Sequence, residues 1–105
     1  MYDIESIQAM YAQHAVEYSQ HFRARMKERN ITFVDVKLAI QNGEIIEQDL
    51  KDVPRPSILI LGFASGNKPI HVAIGVDDYK LVLITTYTPA LTMWEADYKT
   101  RKAVE

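Results

Sequence analysis

The chain has 105 residues, of which 48% are apolar and 25% charged, with a formal net charge of −2. That length builds one core and is too short for two, and the composition excludes a disordered or low-complexity chain. The lack of cysteine excludes disulfides, thiolate metal sites and cysteine nucleophiles, while the slightly acidic balance weighs against gripping nucleic acid by bulk charge alone.

Met1 to Glu5 is acidic and interrupted, without the basic and apolar regions of a signal peptide. The longest apolar run, Ile58 to Ala64, is far short of the roughly 20 residues that cross a bilayer. A cytoplasmic protein without membrane attachment is the expectation.

From Ile4 to Met26 the apolar residues Ile4, Ile7, Tyr11, Ala15, Tyr18, Phe22 and Met26 recur every three or four positions, which predicts one long amphipathic helix, with a break conceivable near Tyr18-Ser19. Asn30 stops it. Thr32 and Asp35 form a variant capping box for a second helix that buries Phe33, Val36 and Ile40, and Asn42-Gly43 supplies a left-handed terminus. After Gly43 the pattern becomes extended. Glu44 to Leu50 reads as a strand, and Lys51 to Pro56 as a loop. Ser57 to Ala64 and Pro69 to Val76 form a hairpin around Ser65 to Lys68, and a fourth strand runs from Lys80 to about Thr88, where Pro89 ends it. A short helix over Met93 to Lys102 closes the chain, pinned by Trp94 and Tyr98 at helical spacing. The expected architecture is a single α+β domain over residues 1–105: two N-terminal helices, a four-stranded antiparallel meander and a C-terminal helix.

The first predicted helix carries its polar groups unevenly. Taking Tyr18 as the reference, His21 falls at about −60°, Arg25 at about −20° and Arg29 at about +20°, on or beside the apolar stripe, whereas Arg23 and Lys27 fall on the solvated side. Several cations near one buried face repel one another unless an anion sits among them. Glu47, Asp49 or a ligand phosphate are the candidates. The plainer reading is that the arginine stems lie along apolar surface with their heads in water. On the third strand His71 shares a face with the small residues Ala73 and Gly75, which leaves either a depression or room for a docked helix. On the fourth strand Thr85 and Tyr87 share one face and Thr86 and Thr88 the other, and the preceding turn leaves open which pair lies beside His71. His14 reads as surface. No metal-ligand spacing, phosphate loop or dinucleotide fingerprint occurs, so no metal or cofactor is expected.

The ordered run His21-Phe22-Arg23-Ala24-Arg25-Met26-Lys27-Glu28-Arg29-Asn30-Ile31, then Asp35-Val36 and Asn42-Gly43-Glu44-Ile45-Ile46-Glu47, is distinctive. With Pro56-Ser57, Leu61-Gly62, Pro69-Ile70-His71-Val72, Ile84-Thr85-Thr86-Tyr87-Thr88-Pro89, Trp94 and Arg101-Lys102, it resembles the prokaryotic domain of unknown function 4258 family from His21 to Lys102, leaving residues 1–20 as an N-terminal helix extension. The resemblance implies a likeness to barnase/RelE-like small ribonucleases, some of them toxins encoded beside zinc-ribbon antitoxins. It places the family's His-x3-Arg-x3-Arg on His21, Arg25 and Arg29, its strand histidine on His71, its Thr-x-Tyr on Thr85 and Tyr87, and its terminal arginine on Arg101. Asn30 replaces a common glycine, and Gln48 replaces an aromatic residue.

Two functions follow. In the first, RNA is cleaved without metal by transphosphorylation: His21 and His71 serve as acid and base in either order, Tyr87 orients or donates a proton, and Arg25, Arg29, Thr85 and Arg101 bind substrate. In the second, the chain is a non-catalytic module that binds a nucleotide or the acidic segment of a partner, or covers an apolar sheet face by forming a homodimer.

Overall fold

In the computed structural model, which describes residues 1–103, three helices lie against one face of a five-stranded mixed sheet. The C-terminal segment lies against the other face, through contacts of Trp94, Tyr98 and Arg101.

The single N-terminal helix expected from periodicity is two helices with a strand between them. Helix α1 (Ile4–Ala12) opens on Asp3, whose carboxylate accepts from the Ser6 N–H, and it ends as His14 takes a left-handed φ of 62°. Strand β1 (Val16–Tyr18) follows, and α2 (Gln20–Arg29) begins on Ser19, whose hydroxyl accepts from the Phe22 N–H. The apolar spacing runs through the break because Val16 and Tyr18, alternate residues of a strand, pack on the same core as Tyr11 and Phe22. A count of threes and fours does not separate these cases.

Asn30 ends α2 with a left-handed φ of 54°, a conformation asparagine tolerates better than most residues. Helix α3 (Phe33–Gln41) then starts on the capping box that the sequence predicts: Thr32 accepts from the Asp35 N–H, and Asp35 accepts from the Thr32 N–H. Val36, Ala39 and Ile40 are buried, but Phe33, expected in the core, is 49% exposed and sets its ring edge-on against Tyr18. The left-handed terminus expected at Asn42-Gly43 is also absent, since Asn42 has φ −103° and Gly66 is the glycine with positive φ among the described residues. Gly43 is required by crowding instead: a Cβ there would lie 2.4 Å from the Ala39 carbonyl and 2.6 Å from Ile60.

Strands β2 (Glu44–Asp49), β3 (Ser57–Ala64), β4 (Lys68–Val76) and β5 (Leu81–Tyr87) form the expected antiparallel meander. The turn between β3 and β4 is a single 3-10 turn, Ser65–Asn67, with Gly66 at φ 75°. The sheet does not stop at four strands. β1 pairs parallel to the outer edge of β5, Val16 to Leu81 and Tyr18 to Leu83, which gives the order β1-β5-β4-β3-β2.

Ile58, Ile60, Ile70, Val72, Ile74, Leu81 and Leu83 meet Ile7, Phe22, Met26, Val36 and Ile40 in the main core. Gly62 lets α3 close on β3, because a Cβ there would stand 2.0 Å from the Ala39 carbonyl oxygen. On the other face Leu59, Leu61, Val82 and Trp94 are buried outside that core.

The C-terminal helix expected over Met93 to Lys102 is replaced by turns that an isolated bridge between Trp94 and Arg101 closes. Asp97 directs this outcome: its carboxylate accepts from the N–H groups of Lys99 and Thr100 and from the Thr100 hydroxyl, which favours a local turn over a helix. Tyr98 has φ 61°. No helix among the described residues is long and apolar enough to cross a membrane.

Candidate functional site

Register fixes what surrounds His71. Leu61, His71 and Tyr87 stand in one cross-strand row, and Glu47, Leu59, Ala73 and Thr85 in the next. A bulge after Ala73 brings Ile84 to the same side as Thr85, and this settles the pair beside His71: it is Thr85 and Tyr87, while Thr86 is buried toward the helices. Above the second row lies an open hollow of about 360 Å³, lined by Glu47, Asp49, Asp52, Ala73, Thr85, Tyr87 and Arg101 among others. The depression predicted over Ala73 exists; over Gly75 the stem of Arg55 takes the space.

His71 itself is fully buried. Its ring stands edge-on to Trp94 at 4.5 Å and to Tyr87 at 5.2 Å between centroids. Nε2 lies 2.6 Å from the Tyr98 carbonyl, which can only accept, so Nε2 carries the proton and Nδ1 accepts from the Tyr87 hydroxyl at 3.2 Å. Burial holds the imidazole below its ordinary pKa, against the opposing pull of the Tyr98 carbonyl and the Glu47 carboxylate. Burial raises the Tyr87 phenol, so it stays protonated at neutral pH.

Arg101 closes this side. Its guanidinium makes a two-pronged pair with Glu47, 2.7 Å from Nε and 2.9 Å from a terminal nitrogen, and lies 4.6 Å from the centre of the Trp94 ring. The Arg101 hydrogen bond pulls the Glu47 carboxyl below the usual range. Lys99 pairs with Glu44 beside it. An incoming anion would meet Glu47, Asp49 and Asp52 around one arginine already engaged.

The cations of α2 lie on the helical side of the sheet. His21 is exposed and Arg25 partly so; Arg25 donates to His21 Nε2 at 3.4 Å and pairs with Glu28. Of the three groups expected on or beside the buried stripe of Phe22 and Met26, Arg25 is partly buried and His21 and Arg29 are exposed. Arg29 donates to the Thr86 carbonyl at 2.9 Å, and its charge reaches Tyr87. Arg23 is exposed, as expected, with its guanidinium 5.6 Å from the Tyr18 ring centre and 5.9 Å from that of Phe33.

The fold thus gathers His71, Tyr87, Thr85 and Arg101 on one face, gathers His21 and Arg25 on the other, and sets Arg29 at the end of β5 between them. No hydrogen bond among the described residues joins the two histidines. Sequence reasoning offers Glu47 to the α2 cations and so misses its pairing with Arg101, and it misses the Tyr98 carbonyl as the partner of His71. An acidic residue on an edge strand signals the first; nothing in a pattern of side chains signals a carbonyl.

Among the described residues, no group of three or more His, Asp or Glu side chains is placed to hold a metal ion. No curated protein and no solved structure matches the chain. The family described as domain of unknown function (DUF4258) matches residues 18–88, from Tyr18 on β1 through the whole meander, leaving Trp94 and Arg101 outside the matched span. That match covers more than half of the chain and includes both histidines of the candidate site, so the protein belongs to the DUF4258 family.

Proposed function

We propose that this domain is a non-catalytic module that binds an acidic segment of a partner protein through the cationic face of α2. One observation carries the reading: the two histidines needed as an acid and base pair stand on opposite sides of the sheet, and His71 uses both ring nitrogens inside the protein. What one face of α2 leaves at the surface is a cluster of His21, Arg25 and Arg29 with Glu28 as its one carboxylate, while Lys27 projects from the opposite side. Such a face attracts anions without any chemistry on them. The test is fluorescence anisotropy of labelled oligoglutamate, with labelled oligouridylate in a parallel arm. We expect oligoglutamate to bind, to weaken with added salt, and to lose about tenfold in affinity with His21→Glu and Arg25→Glu combined. Absence of binding at low salt, or binding indifferent to that double substitution, rejects the reading.

A second reading, metal-free RNA cleavage of the toxin kind on a RelE/barnase-like frame, draws on a different feature. The Tyr98 carbonyl, His71 and Tyr87 form a chain of hydrogen bonds that ends at the hollow, next to Arg101. A base oriented by a third group and bonded to a hydroxyl is the usual form of an activated side chain. In this reading His71 positions Tyr87, Tyr87 handles the proton, and the partner that restrains the enzyme is a zinc-ribbon antitoxin. Incubation with mixed single-stranded RNA decides it: cyclic-phosphate ends that disappear with Tyr87→Phe support cleavage, and equal, negligible cutting by both proteins removes it.

A further inference from the structure

The helix layer carries a second concavity, larger than the hollow beside Tyr87. It occupies about 530 Å³ between α1 and α3, with Val16 and Tyr18 of β1 within its lining. Tyr11, Ala12, Phe33, Val34 and Ile40 supply most of its apolar wall. Two of these are unusual for a helix start, since Phe33 is 49% and Val34 61% exposed although the helix has a buried side available for apolar residues. A pair of bare apolar residues beside a groove marks a surface that is covered when a partner is present.

The charge around the groove identifies the partner. No aspartate or glutamate lines it, whereas Lys37 and His14 do, and Arg23 stands over the Tyr18 and Phe33 rings at its margin. Asp35, one position beyond Val34, is committed to the Thr32 backbone in the capping box. In a chain of net charge −2, this is a local reversal of sign. Among the polar atoms lining the groove are the Tyr11 and Tyr18 hydroxyls, 2.6 Å apart, and burial holds the Tyr11 phenol well above its ordinary pKa, so Tyr11 stays protonated.

The backbone adds a third feature. The Leu81 N–H donates to the Ala15 carbonyl and the Ser19 N–H donates to the Leu83 carbonyl, which directs the main-chain groups of Ala15 and Ser19 toward β5. By alternation, Val16 and Tyr18 turn theirs to the outer side of the sheet, where β1 is the last strand. An extended segment can bond there while alternate side chains enter the groove.

We propose that this groove binds an extended segment of another protein in which apolar and acidic residues take turns at every second position, so that both enter the groove, the apolar ones resting on Phe33, Val34 and Val16 and the acidic ones facing Lys37, Arg23 and His14. The proposal rests on the binding reading above and names the site and sequence character of the partner.

The experiment compares two labelled peptides of equal length and charge, one repeating leucine-serine-glutamate-serine and one with serine in place of every leucine, against the intact protein. The leucine peptide is expected to bind about tenfold more tightly. Val34→Asp, a change at an exposed position, removes that advantage and leaves oligoglutamate binding to α2 unchanged. Amide shifts on adding the leucine peptide then fall on Val16–Tyr18 and on Phe33–Gln41. Equal affinity for the two peptides, or an advantage that survives Val34→Asp, overturns the groove while leaving the α2 reading standing. Loss of oligoglutamate binding by the native protein removes both. Shifts over the same residues on adding oligouridylate, with displacement of the peptide, would assign the groove to RNA and overturn the proposal. Circular dichroism of the Val34→Asp protein confirms that it is folded.

Discussion

His71 is a polar ring placed in a dry setting, and the fold satisfies it completely: one nitrogen donates to a carbonyl and the other accepts from a phenol. A buried imidazole so arranged resists protonation. Unfolded, it takes up a proton near its ordinary value of 6.5; folded, it does so only at lower pH. The stabilisation is therefore fully present above about pH 6.5 and is lost as pH falls through the folded value. NMR titration should give His71 a midpoint below 6.5, with the Nε2–H tautomer above it. A midpoint at or above 6.5 would contradict the burial described above. A second expectation at this scale concerns Gly62. Its absent side chain admits Ala39, and backbone cannot retreat as a flexible side chain does, so Gly62→Ala should cost about 3 kcal/mol or more in urea unfolding. The strand position of His71 and its small neighbours was legible from alternation. Its partners were not, because they come from a segment whose turns depend on Asp97 accepting hydrogen bonds, and a helix-spacing argument from Trp94 and Tyr98 is blind to that competition.

Elements were legible where local chemistry and burial agree. Thr32 and Asp35 announce α3, and Thr32→Ala should lower stability by about 1 kcal/mol, read as a shifted denaturation midpoint with an unchanged slope. β3 is a continuous apolar run, and the structure places it between two strands with a layer on each face. The stretch from Ile4 to Met26 misled because β1 has only three residues and no strand signature of its own; its partner on β5 defines it. The C-terminal segment is held mainly by Trp94, by the Tyr98 carbonyl and by the Arg101 pair with Glu47. Glu47→Gln removes the charge of that pair and keeps an acceptor. Limited proteolysis should then cut between Glu95 and Lys102 faster than in the native protein while the sheet remains intact. An unchanged rate would mean that Trp94 alone anchors the segment.

Over the whole molecule, the sheet separates two kinds of surface. Helices cover one face with a single large core, and a short irregular segment covers the other with a smaller one. Stability should follow the same division. Amide exchange is expected to be slowest in β3 and β4, which have strands on both sides, and markedly faster in β1, whose three residues have one neighbour. Protection of β1 equal to that of β4 would show that something else secures its outer side. The parallel pairing of β1 with β5 has a further consequence for how the protein is made. A ribosome releases α1 and β1 long before Leu81 to Leu83 have been synthesised, so that segment waits, with Val16 and Tyr18 uncovered, for the strand that gives it a place.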